Sequence, residues 1–499
     1  MPRNSLSQRT PIMRSSLMSC VAVLALLGGC SFIPDYQRPA APVPTAWPDG
    51  PAYDQAQAGG ETIATLGWRE FFRDPALQRL IAQALEHNRD LRSAALTVES
   101  ARATYRIERA DLLPTVNGGT DLTHQRTPRT ATQTGKAQTT TNYSANIGTT
   151  SYEIDFFGRI RSLEEEALEQ YFATEEARRS VQIALIAEVA NAYITLLADR
   201  TLLQLTEETL NTRIESFNLT QQSFDRGVGT RLDVTQAQTT VETARANRAI
   251  YTRYVAQDIN ALRLLVGDQL DANLLAGTPP LDLGRFFPNV PAGLPSDLLL
   301  RRPDILEAEH KLVAANANIG AARAAFWPKI SLTGNLGTAS ASLGDLFSSG
   351  SLAWSVGPSL SVPLFDFWRN EATLESAKVQ REIAVAAYEK SIQTAFREVA
   401  DALAAKGTLG DQLRAQQDLV AATQESYALS RNRYDQGIDN YLSTLDSQRS
   451  LYAAQQDLIS VRANQLTNYI TLYKVLGGGS FATSPSELPN PAASVSTFP

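Results

Sequence analysis

Few side chains in this sequence are equipped for bond chemistry. The three histidines, His87, His124 and His310, are too dispersed for a catalytic triad, and the two cysteines, Cys20 and Cys30, offer neither a disulfide framework nor a soft-metal site. No phosphate loop is present: Gly135-Lys136 runs on into Ala137, and neither Gly-x-Ser-x-Gly nor His-Glu-x-x-His occurs. The residues therefore argue against an enzyme, and no metal or cofactor is expected. Cys30 is the one residue with a clear chemical task. It closes Leu27-Gly28-Gly29-Cys30, where small residues let a peptidase approach and leave the cysteine as an acylated N-terminus. Arg3, Arg9 and Arg14 lead into an apolar run of about eleven residues, Leu17 to Leu27, too short to span a bilayer and right for a signal-peptide core. Residues 1–29 thus read as a lipoprotein signal starting at Met1 or Met13, and Ser31, being no aspartate, favours an outer-membrane destination.

Charged residues fall into two further patterns. Leu442, Asp446 and Arg449 stand at i, i+4 and i+7, on one face of any helix that carries them. Asp225 and Asp435 each precede a glycine turn, Gly227-Val228-Gly229 in one case and Gly437 in the other, and Asp233 follows the first turn. A solvated helix face with i,i+4 pairs explains such charges as well as a working site does. The formal net charge of −7 becomes more negative once the signal and its three arginines leave, so nucleic acid is not a partner.

The elements that place these residues come twice. From Arg159 and Arg369 onward the two halves match at an offset of 210: Glu188 with Glu398, Phe224-Asp225-Arg226-Gly227 with Tyr434-Asp435-Gln436-Gly437, and Gly267 with Gly477. Upstream the offset is 214, pairing Asp90 with Asp304 and Pro114 with Pro328. The chain is read as a tandem duplication, with repeats at 70–270 and 303–477, a lipidated extended segment at 30–69, a linker at 271–302 and a polar tail at 478–499.

Each repeat opens with a helix, Asp74 to Leu113 in the first and Pro303 to Phe326 in the second, each stopped by a proline. A β-hairpin follows, about 115–154 and about 329–362, its strands joined by Gly/Ser/Thr-rich loops at 127–141 and 338–350. Ile330, Leu332 and Leu336 alternate with Ser331, Thr333 and Asn335; Leu352, Trp354, Val356 and Leu360 alternate with Ala353, Ser355, Gly357 and Ser359. Then come long helical hairpins, 159–266 and 369–476, whose first arms lack proline over 66 residues, roughly 99 Å of helix. Val181, Leu185, Val189, Ala192, Leu196 and Leu203 step by 3, 4 or 7 and mark a coiled-coil-like seam.

Four strands with one apolar and one small polar face cannot close a barrel in lipid, because an open edge leaves backbone groups unpaired. Strands from other copies must complete it, and three copies give twelve strands around a water-filled lumen. A mean hydropathy of −0.19 excludes a polytopic helical membrane protein. A soluble sandwich with a coiled-coil stalk, and a scaffold lipoprotein, remain open on the residues alone.

Three segments carry a resemblance: Pro34-Asp-Tyr-Gln-Arg-Pro39, Gly293-Leu-Pro-Ser-Asp-Leu-Leu-Leu-Arg-Arg-Pro-Asp-Ile305 and Asp439-Asn-Tyr-Leu-Ser-Thr-Leu-Asp-Ser-Gln-Arg449. Together with the duplication, the chain resembles a TolC/OprM-type outer membrane factor of the lipoprotein branch found in tripartite RND-type drug efflux systems. The resemblance implies a mostly α protomer with a transmembrane β part, four strands per chain completing a 12-stranded trimeric β-barrel, continued by a long α-helical barrel in the periplasm. It implies a homotrimer in outer membrane lipid, a periplasmic adaptor (membrane fusion) protein and an inner-membrane RND-type pump. It implies a passive exit duct, an exit duct for type I protein secretion being the alternative within the class. Leu442, Asp446 and Arg449 match the family's periplasmic gate positions. Asp233 is the equivalent of the first half, although its register partner is Ser443. The turns at Gly227, Gly229 and Gly437, with Asp225 and Asp435, would dock the adaptor, the two aspartates either bracing the turns or pairing with adaptor arginines.

Overall fold

The computed structural model describes residues 31–53, 66–133, 135–271, 274–275, 277–288 and 300–479. Cys30 and the signal before it, the stretch 293–299 of the inter-repeat motif, and residues 480–499 lie outside the described residues. In chain order the elements are α1 (Trp68–Phe71), α2 (Pro75–His87), α3 (Arg89–Ala110), β1 (Asn117–Thr127), β2 (Gln138–Glu153), α4 (Arg159–Asp225) and α5 (Arg231–Val266). There follow α6 (Leu283–Phe286), α7 (Pro303–Ala324), β3 (Lys329–Ser340), β4 (Leu352–Ser361), α8 (Arg369–Asp435) and α9 (Tyr441–Val475).

The single helix expected from Asp74 to Leu113 is two helices. Asp74 caps α2, accepting from the Ala76 and Leu77 amides at 3.0 Å, with Pro75 at the first helical position. Asn88 then takes extended backbone and caps α3: its Oδ1 accepts from the Asp90 and Leu91 amides at 2.9 Å, while its Nδ2 donates to the Leu265 carbonyl at 2.8 Å. The break exists because one side chain serves a helix start and a distant helix end at once. The two expected loops are also shorter than the sequence indicates. β2 begins at Gln138 and β3 runs to Ser340, so the threonine- and serine-rich ends are strand.

Two compact units divide the chain. One comprises Met1–Pro39, Glu99–Ala173 and Ala308–Tyr388; the other comprises Ala40–Val98, Thr174–Glu307 and Glu389–Pro499. The first holds a four-stranded antiparallel sheet in the order β1-β2-β3-β4, so the hairpins of the two halves join through β2 and β3. The register fixes the faces. Gly118, Ile147, Leu336 and Trp354 lie side by side, as do Leu122 with Tyr143 and Ile330 with Leu360. The alternate row carries Asn146, Gly148, Asn335, Gly337, Ser331, Ser355 and Ser359. A bulge between Thr149 and Tyr152, with Ser151 at φ +59°, resets the parity of β2 so that Tyr152 joins Leu332 on the apolar side.

In the same unit, residues 32–38 run antiparallel along α7. Arg323 Nη1 donates to the Phe32 carbonyl at 3.1 Å, Asn316 Nδ2 donates to the Pro34 carbonyl at 2.8 Å, and Tyr36 and Arg38 both reach Glu309. The Phe32 ring stacks on Trp327 with centroids 5.6 Å apart, and Trp327 stacks on Phe157 at 5.2 Å. The Pro34–Pro39 motif is therefore a strap laid on a helix from the second repeat.

The second unit is helical. Phe71, Phe72, Phe286, Phe287 and Tyr473 are fully buried and touch one another ring to ring, joining α1, α6 and the end of α9. On α4, Leu185, Val189 and Leu196 of the expected seam are buried, but so are Ile186, Ala190, Tyr193, Ile194 and Leu197 beside them. The buried stripe is wider than a two-helix seam because α4 packs against more than one neighbour. An 18-residue stretch of α4 has the length and apolar composition to cross a membrane (mean hydropathy 1.7), and 56% of it is buried inside the fold.

Candidate functional site

The ends of the two helical hairpins gather most of the singled-out residues. Gly227 ends α4 at φ +78°, its amide donating to the Phe224 carbonyl at 2.8 Å, while the Val228 amide donates to Ser223 at 3.0 Å. Gly437 ends α8 in the same way at φ +72°, with the Ile438 amide donating to Arg433 at 2.9 Å. Both turns use the left-handed conformation that glycine adopts without strain. Gly229 serves differently: a Cβ there would sit 3.0 Å from the Phe224 nitrogen, so the chain must pass close to the helix end. Its register partner is Asp439, which has room and takes a bidentate pair from Arg433, Nε at 2.6 Å and Nη2 at 2.9 Å. The hydrogen bonds from Arg433 hold the Asp439 carboxyl below its ordinary range.

Thr230 and Asn440 start the returning helices. The Thr230 Oγ1 accepts from the Asp233 amide at 3.1 Å, and the Asp233 carboxylate accepts from the Thr230 amide at 3.1 Å and its hydroxyl at 2.6 Å. Asp233 is thus committed to a reciprocal cap. Asp225 and Asp435 do not reach the turns. Asp225 accepts from Gln221 Nε2 at 2.8 Å, Asp435 lies 4.0 Å from Arg431, and both are exposed, so the bracing role is not theirs.

Leu442, Asp446 and Arg449 fall on the exposed side of α9, Leu442 at 51% exposure. The opposite side of the same turns buries Tyr441, Thr444, Leu445, Gln448 and Tyr452. Leu445 and Tyr441 pack with Ala237 of α5, against Phe217 and Tyr434, so α9 is fixed by its inner face and presents the trio outward. Among the described residues neither Asp446 nor Arg449 forms an ion pair or hydrogen bond. Val228, Leu232 and Ile438 are exposed apolar residues at the same ends.

Arg213 escaped the sequence reading. It is buried on α4 among Thr206, Leu210, Phe217 and Thr220, at spacings of 3 and 4 that prolong the seam. Following that period past Leu203 would have flagged an arginine at a core position. Its Nη1 donates to the Thr240 carbonyl at 3.0 Å, and its guanidinium lies 5.1 Å over the Tyr452 ring. The Tyr452 hydroxyl shares a hydrogen bond with Thr206 Oγ1 at 2.8 Å.

The apolar row of the sheet is bare. Leu122, Ile147, Leu336, Leu352, Trp354, Val356 and Leu360 are all exposed, Trp354 at 73%. Among the described residues no group of three or more His, Cys, Asp or Glu is placed to hold a metal.

Comparison with known proteins agrees with this architecture. The family described as outer membrane efflux protein matches the chain twice, over residues 80–268 and 294–478. The toluene efflux pump outer membrane protein TtgC of Pseudomonas putida is 53% identical over 468 residues, covering 94% of this chain and 96% of its own. The outer membrane protein OprJ of Pseudomonas aeruginosa is 44% identical over 462 residues, covering 93% and 95%. The open-state crystal structure of the Neisseria gonorrhoeae MtrE outer membrane channel superposes with a TM-score of 0.81 at 38% identity, covering 91% of this chain and all of that one.

Proposed function

This chain belongs to the outer membrane efflux protein family, and on that premise we propose that three copies form the exit duct of a tripartite efflux pump. Members of the family are outer membrane channel proteins, and the duct is passive. The observation that carries the reading is the four-stranded sheet, apolar and bare on one face and small and polar on the other, with β1 and β4 at open edges. An open edge in lipid costs several kcal/mol per unpaired backbone group, so β4 of one copy pairs with β1 of the next. Helices point the same way. α7 buries Ile305, Leu312, Ala314, Ala317 and Ile319, whereas its repeat counterpart α3 buries only Val98 and exposes Leu96 and Ile107. A second copy supplies to α3 the cover that α7 finds within the chain.

In the trimer Leu442, Asp446 and Arg449 form the periplasmic gate. Three Asp446 carboxylates crowd the axis, and Arg449 bridges them and offsets their repulsion, so the closed ring loosens when either group is lost. Asp233 contributes by holding the first turn shut. Val228 and Ile438, with the exposed Asp225 and Asp435, meet a periplasmic adaptor protein. An inner-membrane RND-type pump supplies the energy, and the cargo is drugs or other small molecules, the class to which the toluene in the name of the relative TtgC belongs. Lipid on Cys30 anchors the strap. The test is single-channel recording of the purified protein in planar bilayers, with its mass in detergent. A trimer with a small, rarely open, cation-preferring pore that opens more in Asp446→Ala supports the reading. A monomer without conductance refutes it, and a pore indifferent to the substitution keeps the channel and removes the gate.

A further inference from the structure

Two arginines of the helical unit are buried, and their surroundings differ. Arg302 is answered by Asp304 at 2.7 Å and Glu398 at 3.0 Å. Arg213, 3% exposed, has no carboxylate within ion-pair distance among the described residues. Its Nε is buried with no hydrogen-bond partner, leaving one carbonyl and one aromatic face to hold a full charge. A buried guanidinium so poorly answered is expensive, and an apolar residue at this seam position would pack at no such cost.

The groups that face it explain what the charge is set against. From α5 there is the Thr240 carbonyl; from α8, Tyr427; from α9, Tyr441, Tyr452 and Arg449. No acid is among them. Burial, and then the like charge of Arg449, press the guanidinium below its usual range. Arg449 stands one turn before Tyr452 on α9, the residue whose ring Arg213 covers. A long arginine side chain at that place has two courses. It can lay its stem in the apolar seam between α4 and α9, or extend along the exposed face of α9 with Asp446 and Leu442. A positive charge fixed in the seam closes the first course.

We propose that Arg213 is a positioning residue of the gate, whose buried charge keeps Arg449 out of the α4–α9 seam and on the face it shares with Asp446. The inference rests on the gate reading above. Its physical content is like-charge repulsion in a low-dielectric groove. The register partner of Arg213 is Thr423, which bonds its own helix at the Leu419 carbonyl, 2.8 Å away, so the device exists in one half only.

The experiment is single-channel recording and reversal potential under a salt gradient for Arg213→Met and Arg213→Lys, each alone and with Arg449→Ala, beside Asp446→Ala. Methionine keeps the stem against Tyr452 and removes the charge. Arg213→Met is expected to raise open probability about threefold to tenfold and to strengthen cation preference, because Arg449 withdraws and the Asp446 carboxylates lose their offset. Arg213→Lys is expected to restore wild-type behaviour. In the Arg449→Ala background Arg213→Met should add nothing. An equal effect with Arg449 absent would assign the residue to packing and overturn the proposal. So would no effect of Arg213→Met where Asp446→Ala opens the pore. An inert Asp446→Ala overturns the gate reading and the inference together, which separates the two failures. Trimer migration on gels verifies assembly of each variant, and Arg213→Gln replaces methionine if that variant fails to assemble.

Discussion

Removing Arg302 should open the start of α7 and the end of α9 together. Its guanidinium makes three connections: Nε and Nη2 to Asp304, Nη2 to Glu398 on α8, and Nη1 to the Val475 carbonyl at 2.7 Å. Burial alone would push its pKa down, and the two carboxylates more than restore it. Breaking a buried pair costs about 3–5 kcal/mol, chiefly by stranding the remaining charges. The low end applies, because the Asp304 and Glu398 side chains are 42% and 35% exposed and reach water once the cation is gone. About 3 kcal/mol corresponds to a loss of hydrogen-exchange protection of about a hundredfold in the first turns of α7 and the last turn of α9. The assay is hydrogen exchange on the assembled protein in detergent, comparing Arg302→Met with wild type. The cost comes from the two like-charged carboxylates left without their cation. Adding Glu398→Gln should recover part of it. Protection within threefold of wild type at pH 7, or no recovery with Glu398→Gln, would refute the reasoning.

Two further outcomes are expected. Asp199 of α4 and Asp258 of α5 face each other, and burial, then the neighbouring charge, pushes Asp258 up to about 7. A raised carboxyl means the folded state keeps a proton that the unfolded chain sheds, so this stabilisation is complete below about pH 4 and lost as pH rises through 7. Both groups are partly exposed, and screening reduces the effect to about 1–2 kcal/mol. Exchange protection of the α4–α5 hairpin should therefore fall between pH 5 and pH 8 and stay flat in Asp258→Asn. At the hairpin end, Gly437 has open space where a Cβ would go but a φ of +72°. Gly437→Val should then cost about 1 kcal/mol or more locally and Gly437→Asn less, read by exchange of the Ile438 amide.

Legibility in the sequence followed the range of the interaction. Periodicity exposed the long helices and the two faces of the strands, and glycines exposed the turns, because each depends on residues within one or two turns of one another. The cap at Thr230-x-x-Asp233 was equally local; its pattern was visible, and the aspartate read as a gate is the one that completes the cap. Asn88 could not be read as a break. Arg89 and Asp90 continue a helical pattern, and the partner that makes the break worthwhile, the Leu265 carbonyl, lies 177 residues away. The pairing of β2 with β3 across the repeats, and the burial of Arg213, are likewise decided by neighbours remote in sequence.

The duplication gives a last argument. Asn88 and Arg302 are register partners, and so are Leu265 and Val475, whose carbonyls they bind at 2.8 and 2.7 Å. The backbone task, tying the start of one helix to the end of another, is the same in both halves. Asparagine stops there, and Glu188, partner of Glu398, stays exposed; arginine goes on to grip Glu398 and so attaches α8. Arg213 is likewise charged where its partner Thr423 is not. The halves therefore share a path and differ in where they bury charge, and both buried charges make contacts with the second half's long hairpin, at Glu398 and at Tyr452.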